Sequence, residues 1–307
     1  MPALRILDDR ERELVFASPP RRVVSLVPSD TDSLFALGAG DRLVGRTRFC
    51  VAPEGEVDRI PALGGPKDPD VEAIVALAPD LVIANQEENS RTPLGALITR
   101  GVPVFISFPR TVAQGVGHVA RLAKMLGLLG DDRARAAIAL GYSALRQAEA
   151  LLEADALAGR APLSAFVPVW DSPLITGTAE TYLSDALRLA GARNVFADRK
   201  RRYPLAADLG LAPDLPAEQA GDRDTRWPRV AEGELVARAP EVVLLPDEPY
   251  AFSEADAARF RAKDLPAARS GRVARCNGKD LTWHGAWSAE ALPRLRALVD
   301  SLRGARA

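Results

Sequence analysis

The sequence predicts an α/β protein with two Rossmann-like lobes, each built on a mainly parallel sheet, joined by one long rigid α-helix. Three observations predict this class. Short apolar, β-branched runs alternate with helical segments, which is the pattern of helix-covered parallel sheets. The second half of the chain repeats the pattern of the first half, and a helix-forming stretch separates the halves. A ligand cleft is then expected between the lobes, beyond the carboxyl ends of the strands.

The N-terminal lobe is predicted to span residues 1–130. The run at 22–28 is apolar and β-branched, and the polar residues after it are typical of a helix N-terminus. Glycine and proline mark the ends of the helices that follow. The later elements are predicted as a strand at 43–45, a helix at 71–78, strands at 81–84 and 102–106, and a helix at 112–126.

Residues 131–157 are predicted to form the connecting helix. Ala, Leu, Arg, Gln and Glu dominate this segment, and it contains no proline. At a rise of about 1.5 Å per residue, the helix would be about 40 Å long. We expect it to act as a rigid connector and not as a hinge.

The C-terminal lobe is predicted to span residues 158–307 and to repeat the topology of the first lobe. Residues 75–82 align with residues 236–243 at an offset of 161, and five of the eight positions are identical. Further strands are predicted at 164–169 and 273–275. Residues 205–227 are rich in Pro, Asp and Ala and are predicted to form a long loop.

Composition excludes several classes of protein. The formal net charge of −1 provides no basic field for nucleic acid. No stretch of 18 apolar residues predicts a membrane span, and the first sixteen residues lack the apolar core of a secretory signal. We therefore expect either a cytoplasmic protein or one whose export signal is not part of this sequence.

The chemistry available to the chain favours binding over catalysis. Neither a nucleophile elbow nor a phosphate-binding or dinucleotide-binding glycine motif is found, so we assign no catalytic residue and expect no enzyme. With two histidines and two cysteines, the chain is expected to have no metal site of its own and no intrinsic cofactor. His118 is predicted to be a surface or interface residue, and Cys50 a buried thiol.

Aromatic residues at predicted strand ends are the main candidates for ligand contact. Trp283, His284 and Trp287 lie in a loop-like segment near the C-terminus, and Trp170 follows a strand of the second lobe. Each tryptophan has an alternative role in the core of its lobe. His284 is expected to donate or accept a hydrogen bond, with axial ligation of a ligand's metal as the alternative.

The first lobe supplies polar and aromatic counterparts at the same kind of position. Arg48 and Phe49 follow one predicted strand, and Asn85, Glu87 and Glu88 follow another. The two glutamates are predicted to contact a ligand or a basic partner, with a solvated helix N-terminus as the alternative.

The pattern resembles the substrate-binding proteins with a helical backbone that serve ABC importers of cobalamin, ferric siderophores or haem. The likeness covers about residues 4–302. It rests on the opening segment at 22–29, on Ala-Pro-Asp-Leu-Val at 78–82, on the connecting helix, on residues 190–196 and on Arg-Tyr-Pro at 202–204.

Within this family the sequence is most similar to the vitamin B12-binding branch. The segment Arg48-Phe49-Cys50 falls where that branch has its cleft aromatic residue, and Trp283 matches the tryptophan after its last strand. Asn85 stands where the branch has tryptophan, and Arg91 stands where it has a docking carboxylate. The resemblance implies a monomeric, extracytoplasmic binding protein that holds a corrinoid between its lobes for an ABC transporter permease. A ferric siderophore or haem receptor is the alternative ligand class, with Arg46, Arg48, Arg202 and Tyr203 facing an anionic chelate. A cytosolic enzyme or chaperone that handles tetrapyrroles is the alternative of another class.

The predicted site residues fall into two groups. The ligand-binding residues are predicted to be Pro28, Ser29, Arg48, Phe49, Asn85, Glu87, Trp170, Tyr203, Trp283, His284 and Trp287. The carboxylates that dock on the transporter are predicted to be Glu88 and Glu290.

Overall fold

The computed structural model describes residues 3–221 and 223–304, and the chain forms two compact units. The first unit extends to Ser143 and also contains Trp283–Ala289. The second unit comprises Ala144–Thr282 and the residues from Glu290 onward. Each unit contains a four-stranded sheet and several helices, in agreement with the predicted α/β class.

The elements are as follows in chain order. The strands are β1 (Leu4–Leu7), β2 (Glu13–Phe16), β3 (Val23–Ser25), β4 (Leu43–Arg46), β5 (Leu81–Asn85), β6 (Val104–Ser107), β7 (Leu163–Phe166), β8 (Leu174–Ile175), β9 (Ala192–Asn194), β10 (Arg229–Val230), β11 (Val242–Pro246) and β12 (Val273–Cys276). The helices are α1 (Pro28–Ala36), α2 (Val71–Ala76), α3 (Arg91–Thr99), α4 (Val112–Met125), α5 (Asp132–Leu157), α6 (Tyr182–Leu189), α7 (Leu205–Asp208), α8 (Ala217–Ala220), α9 (Glu232–Arg238), α10 (Glu254–Arg261), α11 (Pro266–Arg269), α12 (Lys279–Thr282) and α13 (Ser288–Gly304). Among these described helices, none has both the length and the apolar character needed to cross a membrane.

The main sheet of the first unit has four parallel strands in the order β4-β3-β5-β6. Strand β5 is buried along its whole length, and its side chains alternate between two apolar clusters. Ile83 packs in the cluster that contains residues of α1 and α4, whereas Val82 packs in the cluster that contains residues of α2 and α3. Helices therefore cover both faces of the sheet, which explains the continuous apolar runs in the sequence.

The main sheet of the second unit has the order β12-β11-β7-β9 and is also parallel. In both sheets the first strand in chain order lies between the second and the third, and the fourth lies beyond the third. The internal repeat in the sequence thus reflects two sheets of the same topology. Phe166 on β7 packs within the apolar core of this unit, together with Val243 on β11.

The two helix-to-strand junctions that the repeat predicts are equivalent in backbone conformation. Ala78 and Ala239, at the predicted offset of 161, both lie just after a helix, and both have a φ of 45°. This left-handed conformation ends the helix and turns the chain into the proline that follows. It is unfavourable for alanine because the Cβ atom approaches the backbone.

A carboxylate two residues beyond each alanine has the same role in both units. Asp80 accepts hydrogen bonds from the backbone N–H groups of Arg21 and Arg22, at 2.7 and 2.8 Å. Glu241 accepts one from the N–H group of Ser164, at 2.8 Å. Each carboxylate thereby holds the start of the first strand of its sheet against the third.

Helix α5 is one continuous helix of 26 residues, about 39 Å long. It begins one residue later than predicted because Asp131 caps it, with Oδ1 accepting a hydrogen bond from the N–H group of Ala134 at 3.0 Å. The boundary between the two compact units falls within this helix, after Ser143.

The segment at 205–227 is more ordered than the predicted loop, because it contains the helical turns α7 and α8. The buried carboxylate of Asp208 organises it. This group accepts hydrogen bonds from the guanidinium of Arg199 at 3.0 Å and from the N–H groups of Arg202 and Arg229 at 2.9 and 2.6 Å. The prediction of one uninterrupted loop is therefore wrong.

Three further differences concern strands. The antiparallel hairpin of β1 and β2, in which Leu4 pairs with Phe16, was not predicted from the sequence. Strand β3 ends at Ser25 and not at Pro28, because Pro28 begins α1. Strand β7 ends at Phe166, three residues before the predicted end.

We expect Ala239→Gly to raise the free energy of unfolding by about 0.5–1 kcal/mol, because glycine adopts a positive φ without steric cost. Ala237→Gly is the matched control, since Ala237 is also exposed but lies inside α9, and its substitution should lower stability by a similar amount. Urea unfolding of both variants measures the two changes. Equal losses in the two variants would contradict the assigned backbone strain.

Candidate functional site

A buried carboxylate lies at the start of α1 in the first unit. Pro28 is the first residue of this helix, and Asp30, the third, is fully buried with an exposed fraction of 0%. The N-terminus of a helix favours a negative charge, because its unpaired N–H groups point outward. Placing Asp30 here offsets part of the cost of burying a charged group.

Both histidines of the chain contact the same oxygen of Asp30. Nε2 of His118, on α4, lies 2.8 Å from Oδ1. Nε2 of His284, in the segment after α12, lies 3.1 Å from the same atom. The two imidazoles are buried, with exposed fractions of 1% and 4%. The prediction that His118 is a surface or interface residue is therefore wrong.

The outer nitrogens of the two imidazoles also have partners. Nδ1 of His118 lies 3.2 Å from a guanidinium nitrogen of Arg121. Because a guanidinium only donates, this nitrogen accepts, and the proton of a neutral His118 is on Nε2. Nδ1 of His284 lies 3.2 Å from the hydroxyl of Ser29.

The electrostatics of the cluster follow from burial and from its opposed charges. Burial favours the neutral form of Asp30, but the two adjacent imidazoles outweigh it and lower the pKa of this carboxyl below its usual range. Burial also lowers the pKa of His118. For His284, the neighbouring carboxylates of Asp30 and Glu88 outweigh burial and raise the pKa of the imidazole.

Glu88 is the second acidic group of this region. Burial raises the pKa of its carboxyl to about 7, and the negative charge of Asp30 adds to this effect. Its backbone N–H group and that of Glu87 donate to the side-chain oxygen of Asn85, at 3.3 and 2.8 Å. Asn85 is itself buried, so in this structure it shapes the turn after β5.

Arg48 and Phe49 lie in the loop after β4, as predicted. The Phe49 side chain is 52% exposed, and the guanidinium of Arg48 lies over its ring, 5.0 Å from the ring centroid. Arg46 holds this loop, because its guanidinium donates to the carbonyl groups of Val57 and Cys50 at 2.9 and 3.1 Å. The loop therefore presents an aromatic face and a cation together.

The segment with Trp283, His284 and Trp287 is packed and not open. Trp283 is only 6% exposed, and its ring lies 5.3 Å from that of the half-buried Trp287. Gly285 has a φ of 85°, and a Cβ atom there would lie 2.3 Å from the hydroxyl of Ser33 on α1. Glycine thus permits the close approach that brings His284 to Asp30. The role of these three residues in ligand binding stays a prediction.

In the second unit, Trp170 follows β7 and is 46% exposed. Its ring meets the ring of Tyr250 edge to face at 5.6 Å, and Tyr250 in turn contacts Phe252 at 4.7 Å. Trp170 therefore packs against Tyr250 and still exposes part of its side chain to solvent. Its predicted role as a ligand contact is compatible with this exposure.

Tyr203 is tied into the segment around α7 and α8. Its hydroxyl donates to the carbonyl oxygen of Asp224 at 2.7 Å. The guanidiniums of Arg201 and Arg223 lie 4.9 and 5.2 Å from the centroid of its ring. These contacts engage both the hydroxyl and the ring of Tyr203.

Asp30 and His118 form a buried cluster with His284, but neither was among the predicted ligand-binding or docking residues. A signal for His118 existed, because Gly115, His118 and Leu122 are spaced three and four residues apart on the buried face of α4. Asp30 gave no such signal, since an aspartate near a helix start is the ordinary composition of an exposed cap.

The prediction that Cys50 is a buried thiol is confirmed. Cys50 is a buried free thiol, and the hydroxyl of Thr31 lies 3.1 Å from its sulfur. Burial raises the pKa of the Cys50 thiol. Cys276 is also a free thiol, so the two cysteines do not form a disulfide.

Comparison with known proteins identifies the family. The family model described as "Periplasmic binding protein" matches residues 23–279. The chain belongs to this family. As a periplasmic binding protein, it has curated relatives that include the vitamin B12-binding proteins of Yersinia pestis and Yersinia pseudotuberculosis. Each is 28% identical over 229 residues, which is 75% of this chain and 70% of the relative.

Solved structures of periplasmic binding proteins share the fold. The vitamin B12-binding protein BtuF of Vibrio cholerae has a TM-score of 0.71 at 19% identity, covering 93% of this chain and 99% of that one. The haem-binding protein RhuT from Roseiflexus sp. RS-1 has a TM-score of 0.71 at 20% identity, covering 92% and 98%. The resemblance and the fold class derived from the sequence are confirmed.

We expect Glu88→Gln to stabilise the protein at pH 8 and to have little effect at pH 4.5. The pKa of Glu88 lies above its ordinary value, so its contribution to stability is present below that ordinary value and is lost as the pH rises toward 7. A gain of about 1–2 kcal/mol is expected at pH 8, after allowance for partial solvent exposure.

Chemical denaturation at the two pH values measures this difference. Glu290→Gln is the control, because it makes the same substitution at a side chain that is 72% exposed and therefore carries no burial cost for its charge. A gain for Glu88→Gln that is equally large at pH 4.5 and pH 8 would rule out the electrostatic explanation.

Proposed function

We propose that this periplasmic binding protein is the extracytoplasmic substrate-binding component of an ABC importer and that it carries a corrinoid, with cobalamin as the first candidate. Its curated relatives include vitamin B12-binding proteins. The observation that carries the proposal is the exposure of Phe49 and Trp170 at strand ends of the two units. A corrin is a large, mainly apolar ring system, which matches flat aromatic faces.

The surroundings of each aromatic residue support this proposal. The guanidinium of Arg48 over Phe49 provides a hydrogen-bond donor beside an apolar face, which suits the amide side chains at the edge of a corrin. Trp170 rests on Tyr250, so its orientation is fixed before a ligand binds. Prearranged aromatic contacts lose little conformational entropy on binding.

The haem and ferric siderophore alternatives have less support from the individual residues. The imidazole of His284 is buried, with an exposed fraction of 4%, so it does not face solvent where the iron of a carried haem could reach it. The guanidinium of Arg46 is occupied by carbonyl groups of its own loop. The hydroxyl of Tyr203 is likewise engaged within its own unit. The cytosolic enzyme or chaperone alternative has no relative among the proteins named above.

For docking on a permease, Glu290 has more support than Glu88. The Glu290 side chain is exposed in the first turn of α13 and forms an ion pair with Arg294 at 2.8 Å. Glu88 is half-buried, and its raised pKa leaves it incompletely ionised near pH 7. A carboxylate that binds transporter arginines must be both exposed and charged.

Equilibrium dialysis of the purified protein against cobalamin, haem and a ferric siderophore tests the ligand class. We expect saturable binding of cobalamin and a loss in affinity of about tenfold or more in Phe49→Ala and in Trp170→Ala, because each removes a large apolar contact. Tyr142→Ala is the control, since it removes an exposed aromatic residue from α5 and should leave the affinity unchanged.

Two results would contradict the proposal. Tight binding of only haem or of only the siderophore would assign the protein to another ligand class. Binding of cobalamin that is equally strong in the wild type and in both aromatic variants would show that the exposed aromatic residues do not form the site. Trp283→Ala is a poorer variant for this purpose, because Trp283 is buried and its loss would disturb packing.

A further inference from the structure

We propose that Asp30, His118 and His284 form a binding site for a divalent transition metal of the Zn²⁺ type, separate from any carried chelate. The sequence contains two histidines, a number that argued against such a site. The fold brings both to one carboxylate, from α4 and from the segment after α12. Two imidazoles and one carboxylate are a common ligand set for zinc, whose fourth position is then open to water.

The distances between the donor atoms suit a metal ion. The three candidate ligand atoms lie within 4.8 Å of one another. In a tetrahedral zinc site with bonds of about 2.0–2.1 Å, neighbouring donors are about 3.4 Å apart. Small side-chain rotations therefore suffice to close the three groups around an ion.

One oxygen of Asp30 lacks a partner. Both imidazoles contact Oδ1. The other oxygen, Oδ2, is buried and has no hydrogen-bond donor among the described residues. A buried carboxylate oxygen without a partner is costly, and native structures rarely contain one. A metal ion bound by this carboxylate together with the two imidazoles would bring a positive charge to the carboxylate and offset the missing hydrogen bond of Oδ2.

The outer partners of the imidazoles suit metal binding with one rearrangement. When Nε2 binds a metal, Nδ1 carries the proton and needs an acceptor. The Ser29 hydroxyl can accept this proton from His284. At His118, Arg121 must turn away, because it donates to Nδ1 in the present arrangement. Arg121 is also bound to the carboxylate of Asp9, at 2.5 and 2.9 Å, and Asp9 is the candidate acceptor because it lines the same cavity as His118.

A cavity of about 410 Å³ gives His118 a route toward solvent. Asp9, Arg110, Gln114 and Arg121 contribute polar side chains to its wall. Movement of Arg121 would thus both release Nδ1 of His118 and widen the approach to the cluster. The alternative is a hydrogen-bonded cluster that holds the fold together and binds no metal.

Histidine NMR of the wild-type protein tests the site directly, because the two histidines of the sequence are the two proposed ligands. In tag-free protein labelled with ¹⁵N-histidine, we expect one equivalent of ZnCl₂ to convert Nε2 of both imidazoles to the metal-bound state. A chelator should reverse the change. If both imidazole spectra stay unchanged at several equivalents of zinc, the proposal is wrong.

Variants identify the ligands by competition with a chromogenic chelator. Asp30→Asn, His118→Gln and His284→Gln should each weaken zinc binding about tenfold or more, whereas Cys50→Ser and Cys276→Ser should bind as the wild type does. Retained affinity in the three ligand variants, or loss in the cysteine variants, would overturn the assignment. If a ligand variant does not fold, ¹¹³Cd NMR of the wild type still separates nitrogen and oxygen ligands from thiolate. Because the probe is the bare metal ion, the result is independent of chelate binding.

Discussion

The contact of the Asp30 carboxylate with two imidazoles holds three distant parts of the chain in the first unit together. Asp30 lies in the first turn of α1, His118 lies on α4, 88 residues later, and His284 follows 254 residues after Asp30. A buried carboxylate requires such partners, because its desolvation is compensated only by hydrogen bonds and opposite charge. The same requirement explains Gly285, whose missing side chain allows the last of these segments to approach α1. The burial and charge of Asp30 and the backbone conformation of Gly285 therefore depend on one another.

The remainder of the architecture is simpler and repeats itself. Each unit starts its sheet with a central strand, adds an edge strand, and then builds outward on the other side. At the matching junctions, an alanine with positive φ, a proline and an acidic residue recur, and the acidic side chain fastens the first strand. The aromatic residues Phe49 and Trp170 follow strands of the two sheets. A common topology thus places comparable loops at comparable strand ends, whereas the side chains in those loops differ.

Local sequence signals predicted most of this fold and less of the site. Apolar runs were sufficient to predict β5 and β11, because both strands are buried along their whole length. The composition of α5 and the absence of proline from it were sufficient to predict that helix. The hairpin of β1 and β2 was missed because its strands are short and the apolar side chains of Leu7 and Val15 lie at exposed positions, which obscures the alternation. Of the predicted ligand contacts, Phe49 and Trp170 are exposed, whereas Trp283 and His284 are buried. Whether a loop faces solvent depends on residues that are distant in the sequence. Asp30 cannot be distinguished from an exposed helix-capping residue by sequence alone, because its two histidine partners are also distant in the sequence.

The segment Trp283–Ala289 belongs to the first unit although the residues before and after it belong to the second. In terms of chain connectivity, most of the second unit is inserted into the first. A ribosome makes proteins from the N-terminus, and domains commonly fold as soon as their sequence has emerged. Here the last segment of the first unit is synthesised only after Ala144–Thr282 of the second unit. Until then Asp30 on α1 lacks one of its two imidazole partners, so the buried cluster of the first unit cannot be complete before that segment is made.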